Sequence, residues 1–171
     1  MEKIRIVLII VYVSSFCLSC NNKRHQGNRE RTQIPQEFMV VTKIVDGDTF
    51  WADDGTRKGV KIRLIGVDAP ESRKTFKKEV GYYGKEAKEY LKEMFSGKRV
   101  KFICDVDTFD QYGRTLAYVY LEDGTFVNAD LVKNGYAMVM TIPPNVRFSE
   151  EFVKLQQEAR NYNRGLWKVT E

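Results

Sequence analysis

The sequence predicts a closed barrel of five short β-strands carrying three α-helices, an α+β arrangement. Three observations carry this expectation. Five runs rich in β-branched and aromatic residues are bounded by turns containing Gly and Asp. A stretch with helical apolar spacing, Gly84 to Phe95, interrupts them after the third strand. Two further helical stretches come after the fifth. At 171 residues, 43% hydrophobic and 12% aromatic, the chain is long enough for one domain with a core of its own.

The N-terminus differs in composition from the rest of the chain. Lys3 and Arg5 precede an apolar run, Ile6 to Leu18, too short to span a bilayer comfortably. Ser19-Cys20 ends it, and the polar run Asn21-Asn22-Lys23-Arg24 comes next. This resembles a bacterial lipoprotein leader, with residues 1–19 removed and Cys20 lipidated as the mature N-terminus. Ordinary secretion and an uncleaved anchor are the alternatives. Residues 20–36 are polar and read as a flexible tether. The folded domain is expected over 37–171, held at the bacterial envelope membrane through the N-terminal lipid.

Phe38 to Val45 opens the domain as a strand, and Asp46-Gly47 is a tight-turn signal. Thr49 to Ala52 returns, Asp53-Asp54-Gly55 turns again, and Val60 to Ile65 alternates as a third strand. Residues 71–82 are charged and read as an exposed loop. From Gly84, residues Ala87, Tyr90, Leu91, Met94 and Phe95 form an apolar helical stripe that Gly97 would stop. Arg99 to Val106 and Arg114 to Leu121 are the fourth and fifth strands. Asn128 to Lys133 is a short helix ended by Gly135. Phe152, Leu155, Ala159 and Tyr162 mark a last helix, with Ser149 expected as N-cap and Glu150 and Glu151 complementing its dipole. Five strands with a helix inserted after the third suggest a barrel of the OB type.

The formal charge of +5 suits a polyanionic partner, nucleic acid or an anionic membrane surface. Cys17 and Cys20 belong to the leader, so Cys104 stands alone in the domain and has no internal disulfide partner there. Its strand-like context reads as a small buried apolar group. The single histidine, His25, falls in the tether, which argues against a histidine-centred metal site or triad.

Three stretches carry the chemistry. Asp46-Gly47-Asp48-Thr49 places Asp48 at a strand start. Arg63 lies within a strand between Ile62 and Leu64, and Asp68-Ala69-Pro70-Glu71 comes after it on a bend fixed by Pro70. Asp110-Gln111-Tyr112-Gly113-Arg114 puts a second guanidinium at a strand mouth. Each alone is weak evidence, and the first taken by itself reads rather as a plain hairpin turn. If Asp48, Asp68 and Glu71 converge, each pair at ~4 Å costs on the order of 4 kcal/mol at an effective dielectric near 20. A divalent cation relieves this, and oxygen ligands select calcium, magnesium or manganese. An arginine pointing into the barrel needs an anionic partner. Two arginines suit the oxygens of a phosphodiester and the extra charge of its transition state.

These stretches resemble the thermonucleases, staphylococcal nuclease and its relatives, over about Val41 to Trp167. The matching text is Val45-Asp46-Gly47-Asp48-Thr49, Arg63-Leu64 through Val67-Asp68-Ala69-Pro70-Glu71, Tyr83-Gly84-Lys85-Glu86-Ala87, Asp110 through Tyr118, and Val127-Asn128 to Gly135. The resemblance implies the OB barrel with three helices and calcium-dependent hydrolysis of DNA and RNA to 3′-phosphates, single-stranded or unpaired regions being favoured. By position it implies Asp48, Asp68 and the backbone carbonyl of Ala69 as calcium ligands and Glu71 as general base. Arg63 and Arg114 become the phosphate-binding arginines. Lys74, Lys77, Lys78 and Tyr112 are expected to contact substrate, and the protein to act as a monomer. Thr141 and Pro143 stand where the family's best-known member has nucleotide-packing tyrosines, and Gln111 where it has a lysine. A barrel of this type that binds nucleic acid at the envelope without cutting it is the alternative.

Overall fold

The computed structural model describes residues 37–74 and 79–168. The expected leader, Cys20, the tether, Lys77 and Lys78 lie outside the described residues. Five strands close the barrel: β1 (Met39–Asp46), β2 (Thr49–Ala52), β3 (Val60–Leu64), β5 (Arg99–Ile103) and β6 (Thr115–Leu121). Their order around the wall is β1-β2-β3-β6-β5, with β5 returning to β1 through Met39 opposite Val100. Neighbours are antiparallel except β3 and β6, which run parallel with Arg63 opposite Leu116. Helix α1 (Gly84–Phe95) enters between the third and fourth barrel strands, as the apolar stripe predicts.

Alternation decides which side chains fill the barrel. On β2, Phe50 and Ala52 are fully buried, and on β3 Ile62 and Leu64 join them. Val100, Phe102, Ala117, Val119 and Leu121 complete the wall's inner face. From α1, Ala87, Leu91 and Phe95 are buried, and Phe95 meets Phe50 edge to face with centroids 4.8 Å apart. Helices α2 (Val127–Lys133) and α3 (Ser149–Asn161) pack on each other beside the barrel. Asn128 on α2 is fully buried and satisfied. Its amide oxygen accepts from Val119 N–H at 2.9 Å, and its NH2 donates to the Ile65 carbonyl at 2.9 Å. That bridge ties α2 to Ile65, directly after β3, and to Val119 within β6.

Several expectations change in detail. Strand β4 (Val67–Asp68) pairs with β7 (Met138–Val139) in a second small sheet, and Gly165–Trp167 forms a 3-10 turn. Two-residue strands carry too few positions for a period-2 pattern to register. Ser149 is the first helical residue of α3 rather than its cap. Phe148 occupies the cap position, and no side chain caps the helix. Tyr162 lies past the last helical residue and is exposed, so the buried stripe of α3 ends at Ala159. Cys104 comes directly after β5, half-buried against the core, and burial pushes its thiol up to about 11.

Candidate active site

At one end of the barrel, a cavity of about 400 Å³ gathers the expected residues. Asp46, Asp48, Asp68 and Glu71 line it with Lys61, Arg63, Arg73 and Arg114. Four carboxylates face four cations, so the repulsion expected among the acids is offset first by the protein's own arginines and lysine.

Asp48 is held by the β1–β2 turn and by its neighbours. One carboxylate oxygen accepts from the Thr49 hydroxyl at 2.9 Å, and the other from the Ala69 N–H at 2.8 Å. Gly47 is required there by close approach rather than by its backbone angles. A Cβ on it would lie 2.7 Å from the Ala69 Cβ and 2.9 Å from the Ala87 Cβ. The turn therefore sits flush against both Ala69, directly after β4, and α1.

Arg63 is opposite Thr49 in the ladder. Because Ile62 and Leu64 point inward, Arg63 points to the outer face, away from the barrel core. It is nonetheless only 7% exposed. Its guanidinium bridges the two acids: Nη1 contacts Asp48 Oδ2, and Nη2 donates to Asp68 Oδ1 at 2.8 Å. Burial pulls its pKa below the ordinary arginine value, Asp68 and Glu71 push back, and nearby Arg114 adds to the lowering. Asp68, on β4, keeps a side chain 43% exposed and so faces the cavity mouth. Ala69 is buried next to it.

Glu71 is set by its backbone. The Ser72 N–H donates to Asp46 Oδ1 at 2.9 Å, and the Gly81 N–H to the Glu71 carbonyl at 2.9 Å. The first residue of α1, Gly84, lies directly against that carbonyl, and a Cβ there would overlap the Glu71 oxygen. Gly84→Ala is expected to displace Glu71, costing about 1–3 kcal/mol of stability and up to about 10²-fold in rate. Thermal unfolding and turnover measured on the same preparation check both. Asp46 and Gly84 set the backbone around Glu71, and their sequence context shows only a turn and a helix start.

Arg114 is clamped by Asp110, whose Oδ1 accepts from the Tyr112 and Arg114 N–H groups at 2.8 and 3.0 Å. Asp110 Oδ2 accepts from Arg114 Nε at 2.6 Å. Among the described residues, no hydrogen bond engages the two terminal nitrogens of Arg114. Burial raises the Asp110 pKa, but the hydrogen bonds from Arg114 and Tyr112 outweigh it and hold the carboxyl below its usual range. A depressed carboxyl pKa stabilises the fold above the unfolded value of about 4, and that contribution is lost as pH falls through the folded value. Asp110→Asn is therefore expected to flatten the acid limb of the stability curve and lower activity on the order of 10-fold. Unfolding followed from pH 7 to 2, beside neutral-pH rates, is the check.

Among the expected substrate contacts, Tyr112 is 75% exposed and its ring centroid lies 5.4 Å from the Arg114 guanidinium carbon. Lys74 is away from the cavity lining and pairs with Glu79 at 2.7 Å on the open surface. Lys61 and Arg73 stand in the cavity instead. An adjoining, more apolar hollow of about 420 Å³ shares Arg63 and Arg114 and is walled by Phe109, Tyr112, Ile142 and Pro143. Phe109 is 56% exposed and Ile142 61%. Thr141 is exposed and is not among the lining residues. Phe109 escapes sequence analysis, because a lone aromatic before a turn carries no periodic signal.

Among the described residues, no three Asp, Glu, His or Cys side chains form a ready-made metal cluster. The donor chemistry still fits a hard cation. Asp48 and Asp68 converge on one positive group, the guanidinium of Arg63, and the residue joined to Asp68 is Ala69, whose N–H anchors Asp48. Such oxygen donors suit calcium or magnesium.

The family described as staphylococcal nuclease homologue matches residues 61–169. A thermonuclease of Staphylococcus intermedius is 34% identical over 171 residues, covering 98% of this chain and 99% of that protein. The thermonuclease of Staphylococcus hyicus is 33% identical with the same coverage. A protein of Escherichia coli O157:H7 described as an uncharacterized endonuclease is 37% identical over 129 residues, 74% of either chain.

Proposed function

Because this chain belongs to the staphylococcal nuclease homologue family, and is by that membership a nuclease, we propose that it hydrolyses DNA and RNA at the Asp48–Arg63–Asp68 cavity in a calcium-dependent reaction. The observation that carries this is the convergence of Asp48 and Asp68 on Arg63 in a cavity that also holds Glu71 and Arg114. Asp48, Asp68 and the Ala69 carbonyl would hold the cation. When bound, calcium offsets phosphate charge and orients the substrate.

The remaining steps belong to the chain's own side chains. Glu71 takes a proton from the attacking water. The water oxygen bonds to phosphorus, the bond to the 5′ oxygen breaks, that oxygen takes up a proton from solvent water, and the products are a 3′-phosphate and a 5′-hydroxyl. Arg63 and the terminal nitrogens of Arg114 donate to the non-bridging oxygens as charge builds on them. The apolar hollow beside the arginines, with Phe109 and Tyr112 in its wall, suits an unpaired base. Phe109 would stand in for the tyrosines that Thr141 and Pro143 replace. The protein acts as a monomer, held at a bacterial envelope membrane by a lipid on Cys20 with residues 20–36 as its tether.

The test uses the full-length chain in detergent with single-stranded DNA, in calcium and in chelator. Cleavage that requires calcium and leaves 3′-phosphate ends is expected. A folded protein that binds the DNA and cuts it in no divalent metal would leave the non-catalytic binding protein as the better account.

A further inference from the structure

We propose that the outer face of β2 and β3, built on Trp51, Lys58 and Lys61, is a second nucleic-acid subsite, one that leads a single strand away from the scissile phosphate. The inference rests on the nuclease reading above and extends it to substrate length and strandedness.

Phe50 and Ala52 fill the barrel, so Thr49 and Trp51 point outward. In the ladder Trp51 is opposite Lys61 and Thr49 opposite Arg63. Lys61 and Arg63 thus share one outer face a strand period apart, about 7 Å. The ammonium of Lys58 lies 5.8 Å from the Trp51 ring centroid, and that of Lys61 5.9 Å. A shallow hollow of about 600 Å³ joins these residues to Tyr112, Gly113 and Arg114. It is continuous with the candidate active site, because Lys61 and Arg114 line both.

The two hollows differ in charge. The active-site cavity balances four acids against four cations, whereas the outer one has three cations and no carboxylate in its lining. Neither Lys58 nor Lys61 forms an ion pair among the described residues. An aromatic ring flanked by unopposed ammonium groups matches a strand whose bases stack and whose phosphates need counter-charge. Stacking on Trp51 and Tyr112 requires unpaired bases, which selects a single strand over a duplex.

The test compares full-length wild type, Trp51→Ala, Trp51→Phe and Lys58→Ala, all in detergent. Binding of a labelled 20-residue oligothymidylate is followed in chelator by anisotropy over a salt series. Turnover of the same oligonucleotide and of a p-nitrophenyl phosphodiester of thymidine is followed in calcium. Trp51→Ala is expected to weaken oligonucleotide binding about 10-fold, with Trp51→Phe restoring most of it. Lys58→Ala is expected to flatten the salt slope by about 0.7. The small diester, too short to reach Trp51, should be turned over at the wild-type rate by each variant. Unchanged oligonucleotide binding in both alanine variants, or equal losses on long and short substrates, overturns the subsite. If wild type cleaves neither substrate but Trp51→Ala still weakens binding, the subsite stands and the nuclease mechanism falls.

Discussion

Glu71→Gln is expected to lower kcat by about 10²–10⁴, the usual contribution of a positioned base. Glutamine keeps the shape of the side chain and removes its ability to take a proton. The backbone that sets the residue does not depend on the carboxylate: its carbonyl accepts from Gly81, and the next N–H is held by Asp46. The backbone placement should therefore survive, and oligonucleotide affinity should stay close to wild type while turnover collapses. Single-turnover rates in calcium, measured on protein whose melting temperature has been checked, decide it. A variant that is folded and cuts at the wild-type rate would remove Glu71 from the mechanism.

Arg63→Lys is expected to lose about 10²–10³ in rate, comparable to deleting one preorganised donor to a developing oxyanion. The geometry explains why a retained positive charge does not rescue it. Arg63 reaches two acids at once through its two terminal nitrogens, and a single ammonium cannot reproduce that fork. Asp48 is 5% exposed, so losing half of the bridge leaves a buried carboxylate short of a donor. A stability loss of about 1–3 kcal/mol should accompany the rate loss. Arg114→Lys separates the two effects. Arg114 is clamped by Asp110 rather than by Asp48 and Asp68, so a similar rate loss is expected with less destabilisation. Denaturant unfolding and turnover on both variants provide the comparison, and near-normal rates would exclude either arginine from charge stabilisation.

The barrel strands and α1 were legible because each carries its signal locally. Phe50 and Ala52 alternate with Trp51, and Ala87, Leu91 and Phe95 recur at helical spacing. The β4–β7 pair and the 3-10 turn were not, since pairing between distant two-residue segments leaves no periodicity in either. Ser149 misled because an N-cap preference is weak against packing, and here Phe148 takes the cap position while its ring packs on Tyr118. In the site, residue types and spacing pick out the acids and arginines as candidates, and the family resemblance supplies their expected roles. Their supports were not picked out: Asp46 looks like a turn residue, Asp110 like part of a strand entry, and Gly84 like an ordinary helix start.

The barrel class and the identity of the acids and arginines are properties of the chain's local text, because alternation, turn chemistry and charged residues at strand ends are written there. Folding in three dimensions was needed for three further facts. Arg63 points out of the barrel yet is buried between Asp48 and Asp68. Lys74 stands apart while Lys61 and Arg73 enter the cavity, and Gly47 and Gly84 are needed for close approach. Each depends on which segments distant in sequence are brought within a few ångströms. That is set by the closing of the barrel and the seating of α1 rather than by any residue's own preference.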